Sequence, residues 1–218
     1  MSDLRTALLA ALPPDPVLVE AGAHNGDDTR WFAKACGHVH AFEPAPGPFE
    51  HLRRRCREIP NASAYPLALS DAKGVADLWV CSGTHDGSSS LLAPTGHLEA
   101  FPDLHFNETE RVDVTTLEDW AAGVGQTVDG LWLDAQGAEL AILRGAGDLI
   151  DGVAAVVLEV SVSELYEDAP LYPEVAAWLE GRGFEVRQRV MHDGALQGDV
   201  LAVRDGLHLD GPHDPIAG

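Results

Sequence analysis

Residues 17–29, with the sequence VLVEAGAHNGDDT, constrain the fold of this chain more than any other stretch. Three apolar residues precede an acid, as expected for a short parallel strand that is buried on both faces. Gly22 and Gly26 then allow a tight turn and a close approach of the backbone to a ligand. Asp28 or Thr29 can cap the helix that follows. The pattern predicts a strand, a glycine loop and a helix, which is the first unit of a nucleotide-binding α/β fold.

The spacing of the glycines discriminates between nucleotides. The dinucleotide fingerprint G-x-G-x-x-G is absent, because the order here is Glu20-x-Gly22-x-x-x-Gly26. No Gly-Lys-Ser or Gly-Lys-Thr occurs in the chain, which excludes a P-loop. An acid at the strand end suits a cationic group, such as the amine of an amino-acid moiety, better than a pyrophosphate. These exclusions leave S-adenosylmethionine as the candidate nucleotide.

A second acid follows the next predicted strand. Residues 39–42 are mostly apolar, and Glu43 and Pro44 follow them. A carboxylate at this point can accept hydrogen bonds from both ribose hydroxyls of a nucleotide, which a neutral side chain cannot do. Either Glu20 or Glu43 alone is compatible with an ordinary solvated strand end. Together, around a glycine loop, they favour a nucleotide site.

Length and composition indicate one domain. The chain has 218 residues, of which 45% are hydrophobic, and this is enough for one α/β domain. We expect that domain to span residues 1–204, with a Gly/Pro/Asp-rich tail over 205–218. The apolar patch at 7–12 is too short for a membrane span and lacks a secretory cleavage pattern, so we expect a cytoplasmic protein. The three widely spaced cysteines predict buried thiols rather than a disulfide framework or a zinc site.

The charge argues against a nucleic-acid substrate. Fourteen Lys and Arg against 35 Asp and Glu give a formal net charge of −21, which would repel a phosphate backbone. The dense basic run at 53–57 has a helical pattern that is typical of a solvated face. Small-molecule or peptide acceptors therefore remain as partners, with no nucleic acid and no membrane expected.

The rest of the chain alternates between strand and helix patterns and closes in a hairpin over 184–190 and 198–203. This predicts a mostly parallel sheet with one antiparallel strand. A segment rich in Gly, Ser, His and Pro, 82–110, separates two strands predicted at 75–80 and 111–115. Connections of that length inside a compact domain are usually functional, so we expect a lid on the acceptor side.

Further polar residues follow other predicted strands. Asp134 follows the strand predicted at 128–133, and Glu159 lies near the end of an apolar strand. Because ligands gather beyond the carboxyl ends of parallel strands, both acids are expected at the binding edge, where one could serve as a base and both could anchor acceptor hydroxyls. By the same logic Ser70 and Asp71 would meet an adenine, although a plain Asp turn explains them equally well.

The ordered set of motifs resembles the FkbM family of S-adenosylmethionine-dependent methyltransferases. The matching segments, between about 16 and 190, are EAGAHNGDDT (20–29), FEP (42–44), ALSD (68–71), SSL (89–91), VTTLEDW (114–120), LDAQGAE (133–139), LRGA (143–146) and LEV (158–160). The family pattern after the fourth strand is Asp-x-Glu-Gly, and Gln136 stands where the glutamate is expected. That departure weakens any role for an ionised group at position 136.

The resemblance implies a fold and an activity. The fold is a class I methyltransferase (Rossmann-like) three-layer α/β sandwich with a seven-stranded, mostly parallel sheet, in the order 3-2-1-4-5-7-6 with an antiparallel strand 7. The activity is methyl transfer from S-adenosylmethionine, usually to a hydroxyl of a sugar or natural-product small molecule. An N-methyltransferase acting on a peptide or amino sugar, and a non-catalytic S-adenosylmethionine-binding domain, remain as alternatives. A homodimer is compatible with the sequence.

Roles for individual residues follow from these expectations. The cofactor is expected to meet Glu20, Gly22, His24, Asn25, Gly26, Thr29, Glu43, Pro44, Ser70, Asp71 and Asp134. The expected catalytic residues are Asp134 and Glu159, and the residues expected to bind the acceptor are His85, Ser89, Ser90, Gln136 and Glu139. Further candidates for a catalytic base are His85, His97, His105 and His192, although such histidines usually lie on the surface.

The same acids raise the question of a metal ion. Asp134 and Glu159, with Glu139, Gln136 or a histidine nearby, offer the oxygen ligands that Mg²⁺ or Ca²⁺ prefers. The glutamine at 136 removes a likely anionic ligand, and the family resemblance does not demand a metal. We therefore expect metal-independent transfer.

Overall fold

Ten strands and seven α-helices make up the computed structural model of the protein, which describes residues 2–83, 86–192, 194 and 196–207. The strands are β1 (Val17–Ala21), β2 (His38–Phe42), β3 (Ala62–Tyr65), β4 (Ala68–Leu69), β5 (Gly74–Gly83), β6 (Leu104–Thr115), β7 (Gly130–Leu133), β8 (Ala155–Ser161), β9 (Phe184–Met191) and β10 (Gln197–Arg204). The helices are α1 (Ser2–Ala10), α2 (Asp27–Phe32), α3 (Pro46–Cys56), α4 (Gly96–Ala100), α5 (Leu117–Val124), α6 (Glu139–Arg144) and α7 (Tyr172–Gly181), with a 3-10 helix at Gly147–Gly152.

Seven of the strands form one sheet in the order β3-β2-β1-β7-β8-β10-β9. Within it β10 runs antiparallel to both of its neighbours, and the other described pairs are parallel. Counted within this sheet alone, the order is 3-2-1-4-5-7-6 with an antiparallel seventh strand, so the predicted topology is confirmed. The central strands β7 and β8 are buried and apolar along almost their whole length, as strands covered on both faces must be.

Helices cover both faces of this sheet, which gives three layers. Side chains of successive strand residues point to opposite faces, so Val19 and Leu18 enter different cores. Val156 and Val157 divide in the same way. One core packs against α5, α6 and α7, and the other packs against α1 and α2. The sheet is therefore held from both sides, and its carboxyl edge remains for a ligand.

A second sheet with three strands, in the order β4-β6-β5, stands beside the first. Its antiparallel pair β5 and β6 confirms the pairing predicted for 75–80 and 111–115. Both strands are longer than predicted, and α4 lies between them, so the irregular connection is shorter than the expected 82–110 loop. The added part of β6 is mostly exposed, and an exposed strand does not need the apolar alternation that sequence patterns detect. The lid role stays a prediction.

Two further expectations concern the cysteines and the membrane. Cys36, Cys56 and Cys81 are buried and form no disulfide, as predicted. None of the helices in the described part of the chain is long and apolar enough to cross a membrane.

Candidate active site

A cleft opens at the carboxyl ends of β1, β2 and β7. The strand order reverses here, since β2 and β3 lie on one side of β1 and β7 and β8 lie on the other. Ligands of open α/β sheets bind at such a point. The cavity volume is about 50 Å³, within a depression of about 580 Å³ of empty space that includes the opening to solvent. The polar or loop residues that line this main cleft include Gly22, His24, Glu43, Pro44, Asp86, Ser89, Ser90 and Asp134, and the apolar ones include Phe42, Leu69, Leu78, Leu91, Ala138 and Ile142.

Gly22 forms the floor of the main cleft and permits no side chain. Its φ angle is +77°, in the left-handed region that favours glycine. A Cβ atom at this position would lie 1.7 Å from the carbonyl oxygen of Asp134. The amide of Gly22 donates a hydrogen bond to the carbonyl of Phe42 at 3.0 Å. This glycine therefore holds the ends of β1, β2 and β7 together.

Glu43 is a buried carboxylate on the wall of the main cleft. Its Oε2 atom accepts a hydrogen bond from the amide of His24 at 2.8 Å, and Oε1 accepts one from the amide of Ala45 at 2.8 Å. Burial raises the pKa of Glu43. Each oxygen keeps a further acceptor position, so the carboxylate is fixed in orientation and can still bind two hydroxyls of a ligand.

Glu20 does not line the main cleft. Its side chain is 2% exposed, and its Oε2 atom accepts a 2.5 Å hydrogen bond from the hydroxyl of Thr29 on α2. Burial raises the pKa of Glu20 from 4.5 to about 8. The expected contact with a cationic group of the ligand is therefore not available to this carboxylate. The acids that do border the main cleft are Glu43, Asp86 and Asp134.

The raised pKa of Glu20 predicts a stability effect. Between pH 4.5 and about 8 the native state binds more protons at Glu20 than the unfolded chain does, so stability falls as the pH rises. Glu20→Gln removes this dependence. The free energy of unfolding of the variant should therefore rise relative to that of the wild type by about 1.4 kcal/mol for each pH unit in that window. Urea unfolding at pH 5, 6, 7 and 8 measures this, with the exposed Glu180→Gln as the matched control. Parallel stability profiles of Glu20→Gln and the wild type would contradict the assignment.

Other residues expected at the cofactor also lie outside the main cleft. Asn25 accepts a hydrogen bond from the amide of Asp27, and Gly26 precedes α2 with a φ angle of +82°. The Ser70 carbonyl packs closely against Gly145, and Asp71 is exposed. The residues of this segment that line the main cleft are the apolar Leu67, Ala68 and Leu69, rather than Ser70 and Asp71.

Gln136 connects the two acids that were expected to be catalytic. Its side-chain amide donates to Oδ1 of Asp134 at 2.8 Å and to Oε2 of Glu159 at 2.9 Å. Its amide oxygen lies 3.0 Å from the hydroxyl of Tyr166, which donates to it. Its carbonyl accepts from the Ser90 hydroxyl at 2.8 Å. The glutamine that departs from the family pattern therefore bridges two carboxylates, where a glutamate would have added a third.

The two bridged acids differ in exposure and in electrostatics. Asp134 is open to solvent through the main cleft, while protein surrounds it on the other sides and raises its pKa to about 6. Glu159 is buried, and both of its oxygens accept from amides, those of Gln136 and Gln197. Burial raises the pKa of Glu159 well above its usual value, and the charges of Asp134 and Glu139 add to this.

The expected acceptor residues divide into two groups. Ser89 and Ser90 line the main cleft, and Ser90 reaches Gln136 as described. Glu139 lies behind the site, where its carboxylate accepts hydrogen bonds from the amides of Ala135 and Gly137. Its role in this structure is to hold the turn before α6. His85 lies outside the described residues.

Sequence reasoning missed three residues of this region, Tyr166, Gln197 and Asp199. Asp199 lies directly opposite Glu159 in the antiparallel pairing of β10 with β8. Its Oδ2 atom is 2.8 Å from Nε2 of His192. The available signal was an acid inside an otherwise apolar strand, since such a residue must find a partner when it is buried.

Comparisons with known proteins agree on one class. A family model described as the methyltransferase FkbM domain matches residues 20–186. The 2-O-methyltransferase NoeI of Sinorhizobium fredii is 28% identical over 162 residues, which cover 71% of this chain and 67% of that protein. Methyltransferase 1 of Beauveria bassiana is 29% identical over 200 residues, which cover 82% of this chain and 76% of that protein.

Solved structures support the fold. The methyltransferase FkbM of Methylobacillus flagellatus superposes with a TM-score of 0.58 at 13% identity, over 87% of this chain and 43% of that one. This chain thus spans less than half the length of that protein. Fibrillarin of Aeropyrum pernix, solved with natively bound S-adenosyl-L-methionine, superposes with a TM-score of 0.52 at 15% identity, over 92% of this chain and 74% of that one.

Proposed function

Because the chain belongs to the FkbM family of methyltransferases, we propose that it transfers the methyl group of S-adenosylmethionine to a hydroxyl of a small molecule, such as a sugar or a natural-product intermediate. The observation that carries the proposal is a single cleft bordered by Glu43 on one wall and Asp134 on its floor. Similarity to a 2-O-methyltransferase supports oxygen as the atom that receives the methyl group.

The main cleft fits this nucleotide in its chemistry. Glu43, fixed by two backbone amides, is suited to the ribose hydroxyls. The apolar wall that includes Leu69, Leu78 and Ile142 is suited to the adenine ring. The negative charge of Asp134 is suited to a sulfonium. When bound there, S-adenosylmethionine would supply an electrophilic methyl group.

Asp134 and Glu159 are the proposed catalytic carboxylates. Methyl transfer is an in-line displacement, so the protein must hold the acceptor oxygen in line with the methyl group and exclude water. Asp134 borders the cleft, and Gln136 fixes its orientation relative to Glu159. In this proposal Asp134 accepts a hydrogen bond from an acceptor hydroxyl, and Glu159 acts behind it through Gln136, without a metal ion.

An amine acceptor is the second candidate, because acids crowd this region. Asp199 adds to the raised pKa of Asp134, and both of these acids add to the raised pKa of Glu159, which reflects closely spaced negative charges. Such a group attracts a cationic amine as well as a hydroxyl. Incubation with methyl-labelled S-adenosylmethionine and paired hydroxyl and amine acceptors, followed by mass-spectrometric location of the label, distinguishes the two. Label found on nitrogen alone would reject the hydroxyl proposal.

The ribose contact yields a direct prediction. Glu43→Ala should weaken S-adenosylmethionine binding by about 1.5–3 kcal/mol, the usual cost of losing a charge-assisted hydrogen-bond partner. Titration calorimetry measures the change, and Asp71→Ala, exposed and outside the main cleft, is the control. Unchanged affinity in the folded Glu43→Ala variant would reject the ribose assignment.

A further inference from the structure

A second cavity adjoins the main cleft across Gln136. Two segments of the chain line both cavities. Asp134 and Ser89 line the main cleft, and their sequence neighbours Gln136 and Ser88 line the second cavity. The second cavity opens to solvent and has a volume of about 360 Å³, which is enough for a small molecule. Nothing in the proposed cofactor site uses it.

His192 lines the second cavity and is oriented by a buried acid. Its Nε2 atom is 2.8 Å from Oδ2 of Asp199, whose side chain is 13% exposed. Its Nδ1 atom is 3.8 Å from Oε1 of Glu159, which is too long for a direct hydrogen bond. When Nε2 carries the proton and donates it to Asp199, Nδ1 holds a lone pair beside Glu159. This is the arrangement of a histidine base positioned by a carboxylate.

A second histidine lines the same cavity. His97 lines the second cavity and is 2% exposed, and its Nδ1 atom has no hydrogen-bond partner in another described residue. Its ring packs among those of Phe101, Phe106 and Tyr166. Because its Nδ1 atom is enclosed by protein, His97 shapes the wall of the second cavity rather than binding a ligand there.

We propose that the second cavity binds the methyl acceptor and that His192, positioned by Asp199, removes the proton from the acceptor hydroxyl. This inference rests on the proposed function. As the new bond between the hydroxyl oxygen and the methyl carbon forms, the bond between sulfur and that carbon breaks, and its electron pair stays on sulfur. The hydroxyl proton moves to Nδ1 of His192, so the positive charge lost by the sulfonium appears on the imidazolium. Asp199 stabilises that charge, and water later removes the proton.

The lining of the second cavity also selects the charge of the acceptor. None of its described lining residues is Lys or Arg, whereas Glu159 and Asp199 stand directly behind it. Anionic acceptors are therefore repelled. Phe101, which is 37% exposed, offers an apolar surface, and the side-chain amide of Gln197 offers hydrogen bonds. An uncharged ring with several hydroxyls meets both requirements.

The same three side chains have a competing use. Ligand atoms of Glu159, His192 and Asp199 lie within 4.8 Å of one another, close enough to hold a divalent cation. A histidine nitrogen bound to a metal has no lone pair for a proton, so the two roles exclude each other at that atom. The experiment must therefore separate them.

The test compares His192→Ala with His51→Ala, an exposed histidine on α3. The probes are the methyl glycosides of glucose, galactose and mannose, with methyl glucuronide as the anionic counterpart of the first. We expect His192→Ala to lower kcat about 100-fold or more, with at least a tenfold recovery on adding imidazole, because a lost base can be replaced from solution. Saturation-transfer NMR without S-adenosylmethionine should show glycoside binding retained in this variant. His192→Gln, which keeps a hydrogen-bonding side chain, should show the same loss.

The remaining outcomes separate this inference from the proposed function. Wild-type activity on a neutral glycoside with a much lower kcat/KM for the glucuronide supports the acceptor class. Near wild-type activity in a folded His192→Ala variant overturns the base, as does wild-type activity that EDTA abolishes and Mn²⁺ or Mg²⁺ restores. Absence of binding and turnover with every glycoside overturns the acceptor class. Failure of the wild type to bind S-adenosylmethionine would instead reject the proposed function.

Discussion

Gly22→Ala should destabilise the protein by about 3–5 kcal/mol, a large part of the roughly 5–15 kcal/mol that keeps an ordinary domain folded. The added Cβ would lie 1.7 Å from the carbonyl oxygen of Asp134, and that atom belongs to backbone at the end of a central strand. Alanine also disfavours the φ angle of +77° found here. Neither strain can be relieved without moving β1 away from β7.

Gly125→Ala is the matched control for this variant. Gly125 has a similar φ angle of +66°, but a Cβ there would meet no atom within 4 Å. Gly125→Ala should therefore lower the free energy of unfolding only by the cost of the left-handed backbone conformation, about 1–2 kcal/mol. Urea unfolding of both variants measures the difference, which isolates the steric clash. Equal losses in the two variants would contradict the close contact between Gly22 and Asp134.

Asp134→Asn should lower methyl transfer by about 100-fold or more while the protein stays folded. Asparagine has the shape of aspartate and can still accept the hydrogen bond from Gln136, so the change removes mainly the charge. That charge borders the main cleft, where in the proposed reaction positive charge develops on the acceptor oxygen, and a carboxylate stabilises this charge. Single-turnover rates with saturating S-adenosylmethionine measure the effect, and Asp71→Asn is the exposed control.

The Asp134→Asn variant also tests the pH dependence of the activity. The pKa of Asp134 is raised to about 6 by the surrounding protein, with Asp199 and Asp28 adding to the shift and Gln136 and His192 opposing it. The ionised form is the active one in this proposal, so wild-type activity should fall as the pH drops below about 6. In Asp134→Asn, the activity that remains should no longer show the part of this pH dependence that Asp134 causes. Full activity in Asp134→Asn would reject the role of the charge.

The proposed transfer does not depend on a metal ion. Activity that is unaffected by EDTA would fit this proposal.

The sequence indicated the fold because its signals are local. Apolar runs such as that of β8 demand burial on both faces, and Gly22 marks a turn that other residues cannot form. These features predicted a mostly parallel α/β sheet, and the family resemblance carried by the motifs implied the confirmed sheet order and the class of enzyme. They also led to Glu43, because a side chain just beyond a central strand has few directions open to it.

Local signals could not settle which face of a strand an acid would occupy. Glu20 lies two residues after Leu18, so it shares the face that packs against α1 and α2. The ligand cleft lies at the strand end beside Gly22 instead. The alternation was visible in the sequence, but the covering of each face depends on helices that are distant in the chain.

The arrangement around Gln136 was decided by tertiary structure alone. Asp199 stands opposite Glu159 because the antiparallel register of β10 on β8 places it there, across 40 residues of chain. The bridge from Asp134 through Gln136 to Glu159 depends equally on how β7 and β8 end side by side. The sequence by itself determined which residue types reach the carboxyl edge of the sheet. Which of them meet was fixed only when strand pairing set their distances, since hydrogen bonds and charge interactions depend on separation in space.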